Sequence, residues 1–137
     1  MIKYYWQFGV LFGLLLLQSP LLSQTKLENL QQVQFLSQNE CVIVQINADW
    51  NISASIDLDA LGTLKNCNWF NASIDDADYG SIIAEEWKVK SVPTIIMFEY
   101  GKEIKRFEAG LSFQLDEENI IRLINKEIDK IMLRRFE

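Results

Sequence analysis

The chain has 137 residues, 49% of them hydrophobic and 12% aromatic, with a formal charge of −6 and no histidine. That is enough apolar material for one domain of ordinary size and too much for a disordered chain. An acidic balance without a dense basic patch speaks against nucleic acid as a partner. The absence of histidine removes the commonest general base and zinc ligand, and two cysteines alone cannot build a metal site.

Lys3 is the only charge before Lys26. Between them Phe8 to Leu17 form an apolar run of signal-peptide length, broken by Gln18, Ser19 and Pro20. Ser23 is small enough to precede a cleaved bond, which predicts a signal peptide over 1–23 and a single domain over 24–137. Leu21 is larger than the cleavage pattern prefers, so an uncleaved anchor is the alternative: Tyr4 to Thr25 as a helix would span about 33 Å, enough to cross a bilayer. Both readings export the domain, to a periplasm or as a secreted protein. Membrane contact is expected only if residues 4–25 stay attached.

Thr25-Lys26-Leu27-Glu28 has the pattern of a capping box and opens a first helix with Leu27, Leu30, Val33 and Leu36 inward. Cys41 to Ile46 is a β-branched run whose apolar continuity suggests a strand covered on both faces. Ser53 to Lys65 reads as a second helix, with Ser53 as its N-cap and Ile56, Ala60, Leu61 and Leu64 on one side. Asn68 to Ile74 is a second strand. Asp76 to Lys88 is a third helix, with Tyr79, Ile82, Ile83 and Trp87 inward. Val92-Pro93 stops the helical pattern. Thr94 to Phe98 and Glu103 to Phe107 make a hairpin around Tyr100-Gly101-Lys102. Leu115 to Arg135 is a long final helix, with acids at its start and Arg134 and Arg135 at its end, as the helix dipole favours. Alternating strands and helices followed by one tight hairpin predict an α/β fold, a mixed sheet with helices on both faces.

This order, together with four residue patterns, resembles the thioredoxin family. The patterns are Val42-Ile43-Val44-Gln45-Ile46-Asn47-Ala48-Asp49-Trp50, Ile74-Asp75, Val89-Lys90-Ser91-Val92-Pro93-Thr94, and the Tyr100-Gly101-Lys102 turn followed by Gly110. The match covers about residues 27–130. It implies a thioredoxin-like sheet of about four strands, with the family's N-terminal strand short or absent. It also implies a cis bond before Pro93, and a groove in which the backbone of Val92 pairs with an extended peptide. By resemblance that groove comprises Trp50, Ile52, Val92, Pro93 and Leu111, and neither the N–H nor the C=O of Val92 depends on a cysteine.

The departure from the family carries more weight. After Trp50 the family has C-x-x-C; this chain has Asn51, Ile52, Ser53 and Ala54. Disulfide exchange needs a thiolate to attack and a second thiol to resolve the intermediate, and an Asn amide supplies neither. The family's buried acid corresponds to Gln45 and the lysine beside it to Asn71. No catalytic residue is therefore assigned; Asn51, Ile52, Ser53 and Ala54 are vestigial positions, and no cofactor or metal is implied.

Cys41 and Cys67 begin what should be adjacent strands. An even cysteine count in an exported domain permits a disulfide, closing a loop worth roughly 3–4 kcal/mol; two buried inert thiols are the other reading. Some glutathione-binding relatives place a Ser near Ser53 and Ser55 to hold a thiolate, but the positions align poorly here. Asp57, Asp59, Asp75, Asp76 and Asp78 do not fit the spacing of a calcium loop and read as solvated helix starts. Asn51-Ile52-Ser53 and Asn71-Ala72-Ser73 match the glycosylation sequon, read here as chance. The leading expectation is a non-catalytic module for a peptide or protein partner in the envelope. Its alternatives are a thiol–disulfide oxidoreductase using Cys41 or Cys67, or a structural envelope subunit.

Overall fold

The structure, a computed structural model, describes residues 26–61 and 67–136. The expected leader over 1–23, its alternative anchor over 4–25, and the end of the expected second helix at 62–66 lie outside the described residues. Among the described residues no helix is long and apolar enough to cross a membrane.

Four strands form one mixed sheet: β1 Cys41–Asn47, β2 Cys67–Ser73, β3 Thr94–Glu99 and β4 Lys102–Glu108, in the order β2-β1-β3-β4. β1 runs parallel to β2 and antiparallel to β3, and β3 antiparallel to β4. The N-terminal strand of the pattern is reduced, among the described residues, to one parallel bridge between Lys26 and Asn71 and one bond from Leu27 N–H to Asn71 O at 2.8 Å.

Every residue of β1 is buried, because each face of the sheet has its own cover. Val42, Val44 and Ile46 join Leu27, Val33, Tyr79 and Ile83 beneath α1 Leu30–Leu36 and α2 Gly80–Glu86. Cys41 and Ile43 join Ile56, Leu58, Ile120, Ile124 and Ile131 beneath α3 Glu117–Arg135. The period of two along the strand thus sorts side chains into two cores.

Helix boundaries differ from the sequence expectation for local reasons. α1 starts at Leu30 because the backbone before it is spent on the bridge to Asn71. Its cap is Asn29, whose Oδ1 accepts from Gln32 N–H at 2.9 Å, while Gln32 Oε1 accepts from Glu28 N–H at 3.1 Å. α2 starts at Gly80, since Asp76 Oδ1 takes the N–H groups of Asp78 and Tyr79 in a turn ahead of it. Gly80 lies so close to the end of the preceding strand segment that a Cβ there would overlap the Ile74 carbonyl. Ile82, expected inward, is exposed, because Tyr79 and Ile83 already fill the buried stripe.

Over its described residues, 53–61, the expected second helix does not form. Residues Asp49–Ala54 and Leu58–Leu61 are short 3-10 turns separated by extended backbone, and Ser53 caps no α-helix. At the other end of the chain, Tyr100 and Gly101 both have positive φ, 53° and 74°, which suits a two-residue hairpin turn of the primed type. Arg106 on β4 donates to the carbonyls of Trp87 at 2.5 Å and Lys88 at 3.2 Å, and pairs with Glu103 and Glu108. That clamp holds the end of α2 and so sets the start of the Val89–Pro93 loop.

Candidate functional site: a buried amide network beneath exposed apolar residues

Alternate residues of β1 put Cys41, Ile43, Gln45 and Asn47 on one face. Gln45 is 1% exposed and fully partnered. Its Oε1 accepts from Ile56 N–H at 2.8 Å, and its Nε2 donates to Ile56 O at 2.9 Å and Asn71 Oδ1 at 3.1 Å. Asn47 Nδ2 donates to Asn51 O at 2.8 Å and Ser55 Oγ at 2.7 Å, while its Oδ1 accepts from Ala48 N–H at 2.9 Å and Asn51 Nδ2 at 3.2 Å. These two side chains explain the missing helix. The C=O of Asn51 and both the N–H and the C=O of Ile56, which an α-helix would pair internally, are taken by amides reaching up from the strand.

Asn51 stands where the thioredoxin pattern has its nucleophilic cysteine. It is 8% exposed, with non-helical φ −118° and ψ 16°. Its Nδ2 donates to Val92 O at 3.3 Å and Phe113 O at 3.1 Å. One side chain therefore ties the 49–54 turn to the Val92 loop and to the segment before α3. The sequence expectation left both backbone groups of Val92 available. Its carbonyl is in fact engaged by Asn51, while its N–H has no acceptor among the described residues. The burial of Asn51 also disposes of the sequon reading there.

The Val92–Pro93 peptide bond is cis. The loop is held from below: Thr94 Oγ1 donates to Ser91 O at 2.7 Å, Gly110 N–H to Ser91 Oγ at 3.0 Å, and Ala109 N–H to Pro93 O at 3.2 Å. Val92 and Pro93 are buried, whereas Trp50, Ile52 and Leu111 are 66%, 64% and 96% exposed. Phe113, unmarked by any periodic pattern, packs edge-on against Trp50 with ring centroids 5.2 Å apart. It sits at φ 55°, a left-handed conformation that costs a non-glycine residue energy and is stabilised here by the bond from Asn51. Beneath Ile52 a cavity of about 530 Å³ opens between Gln45, Asn47, Ser55 and Asn71.

The rim is acidic. Asp49 N–H donates to Asp75 Oδ2 at 2.8 Å, and Ser73 Oγ donates to Asp49 Oδ1 at 2.8 Å. The Asp78 N–H, above all, holds the Asp76 carboxyl below its ordinary range against a burial penalty; Tyr79 N–H and Lys26, 3.6 Å away, add to it. Burial, with the charge of Asp76 behind it, pushes the Tyr79 phenol up to about 12.

The sulfur lies elsewhere. Cys41 and Cys67 face one another in the β1–β2 register and are bonded, with Cα atoms 4.3 Å apart. They are 0% and 6% exposed. Six residues of strand, about 20 Å, separate Cys41 from Asn47 at the groove end. Near Trp50 there is thus neither a thiol nor the α-helix N-terminus that would lower a thiol pKa.

No protein-family model and no curated protein matches the chain. Solved structures do. An oxidised thioredoxin from Plasmodium falciparum aligns with a TM-score of 0.59 at 18% identity, over 77% of this chain and 99% of that one. A cysteine-to-serine mutant thioredoxin from Entamoeba histolytica aligns at 0.55 and 21% identity, over 76% and 99%. A structure from work on the thiol resolving mechanism of a yeast mitochondrial 1-Cys peroxiredoxin aligns at 0.56 and 18% identity, over 79% and 95%. At these identities the likeness concerns the fold.

Proposed function

We propose that this thioredoxin-like domain is an exported, redox-inactive module that binds an extended peptide or protein segment across Trp50, Ile52, Val92, Pro93 and Leu111. One observation carries the reading: the position of the nucleophile is filled by a buried amide that holds three segments together, while the apolar residues around it stay exposed. Catalysis at this spot needs a group that ionises and attacks. Asn51 does neither, and its donors are committed to carbonyls. Binding needs apolar surface and an unpaired backbone group, and both are present.

Export rests on the signal-like run over 1–23, with a domain from 24, and is supported by a disulfide of the kind that persists in oxidising compartments. A membrane tether through residues 4–25 is the variant of this reading in which the leader stays attached. The test has two arms. The purified domain should not accelerate reduction of insulin by dithiothreitol, and a Trp50→Ala variant should lose affinity for any segment the natural chain binds. Insulin reduction at the rate of an ordinary thioredoxin would overturn the reading.

The bonded Cys41–Cys67 pair favours a second reading, a thiol–disulfide oxidoreductase with unconventional cysteines. It requires a client thiol to reach sulfurs that are almost wholly enclosed. Alkylation of the briefly reduced, still folded protein decides: rapid labelling of Cys41 or Cys67 at neutral pH supports it, and protection until unfolding removes it.

A further inference from the structure

Resting on the peptide-binding reading, the geometry points to a specific occupant for the groove: an extended, proline-containing segment of a partner protein that carries Lys or Arg beside the prolines. Three independent features lead there.

The first is the hydrogen-bonding capacity of Val92. Strand addition onto one residue uses its N–H and its C=O together. Here the carbonyl already accepts Asn51 Nδ2 at 3.3 Å, and the N–H finds no acceptor among the described residues. A partner residue lying opposite Val92 gains by offering its carbonyl to that N–H. Its own N–H meets an oxygen for which Asn51 competes. Proline has no N–H to satisfy, so it gives up nothing at that position. Its fixed φ also lowers the ordering cost of an extended chain.

The second is the surface. Trp50 and Phe113 meet edge to face, and Ile52 and Leu111 are exposed on the neighbouring turns. Aromatic-lined grooves of this sort accept pyrrolidine rings because the rings are rigid, flat-sided and apolar.

The third is charge. The segments 49–61 and 109–121, joined through Asn51 and Trp50 to Phe113, contain Asp49, Asp57, Asp59, Asp116, Glu117 and Glu118 and no Lys or Arg. Asp57 N–H donates to Glu117 Oε1 at 3.3 Å, so the two segments bring their acids together. Lys90 is the one cation in the Val92 loop, and Lys26 is paired with Asp76. An acidic segment would be repelled and a cationic one drawn in.

The experiment measures binding of short capped peptides to the full chain by fluorescence anisotropy. One peptide alternates Pro and Val between flanking Lys residues, a second has Ala for every Pro, and a third has Glu for every Lys. The first should bind tightest. The Ala peptide should bind about fivefold more weakly or worse, the scale of one poorly satisfied hydrogen bond. The Glu peptide should lose at least about tenfold at low salt, a gap that narrows as salt rises. In an Asn51→Ser variant, which frees the Val92 oxygen, the difference between the Pro and Ala peptides should shrink. Equal binding of all three peptides would overturn this proposal while leaving the peptide-binding reading intact. Binding of none would overturn both, and binding that survives Trp50→Ala would place the site elsewhere. If Asn51→Ser does not fold, the three peptides on the natural chain still decide.

Discussion

The two ends of β1 solve opposite problems on the same face of one strand. At its start Cys41 is joined to Cys67 inside an apolar core with Ile43 and Met97. At its finish Gln45 and Asn47 are buried as well, but as amides bonded to the backbone of Ala48, Asn51 and Ile56. Sulfur, the reactive element of the pattern this fold resembles, is almost wholly enclosed, with Cys41 0% and Cys67 6% exposed. The other end, beneath exposed Trp50 and Ile52, holds neutral hydrogen-bonding groups. The contrast teaches that the missing sulfur is only half of the difference from the pattern: Asn51 accounts for the absent thiol, and the amide network accounts for the short turns where a helix was expected.

Breaking the sulfur end should have the largest effect on stability. Cys41→Ala with Cys67→Ala opens a loop of sequence separation 26 and should lower unfolding free energy by about 3–4 kcal/mol in urea titrations. The change should not alter peptide affinity at the distant groove. Breaking the amide end comes next. Gln45→Leu leaves the N–H and C=O of Ile56 without partners and should cost about 2–3 kcal/mol, with Trp50 fluorescence reporting a loosened 49–61 segment.

The opposite face of the sheet supplies a control. The raised Tyr79 phenol stays neutral in the fold while its unfolded counterpart ionises above about pH 10. Its contribution is therefore complete below about pH 10 and lost as pH rises toward about 12. Tyr79→Phe should flatten that part of the stability curve and leave both ends of β1 unchanged. The smallest expected effect is the sharpest comparison. Restoring sulfur with Asn51→Cys and Ala54→Cys should leave insulin reduction at background. The new thiol at 51 should alkylate only as pH nears the ordinary thiol range of about 8.5, because no helix N-terminus stands behind it.

Much of the fold was legible because its signals are local. The apolar run from Cys41 to Ile46 announced a strand covered on both sides, and the spacing of Ile120, Ile124 and Ile131 announced the final helix. The cis bond before Pro93 was legible, since Val92 and Pro93 carry the resemblance. The 49–61 segment was not. Ile56, Ala60, Leu61 and Leu64 are spaced for a helix, and nothing within that window reveals that Gln45 and Asn47, on a neighbouring strand, will claim its backbone. Tertiary hydrogen bonds overrode local preference. Asn51 misled in a related way: in sequence it reads as the absence of a cysteine, and in space it is the donor that joins three segments. Phe113 had no periodic pattern to mark it, because its role comes from an edge contact with a residue far along the chain.

The most direct test of a thiol-free site is to trap what forms on contact with a client. The oxidised domain is mixed with an unfolded, thiol-bearing protein, quenched with acid and an alkylating reagent, and its intact mass is measured. The account predicts an unmodified chain with the Cys41–Cys67 bond in place while the client is held without a covalent link. A mixed disulfide between the client and either cysteine would contradict it.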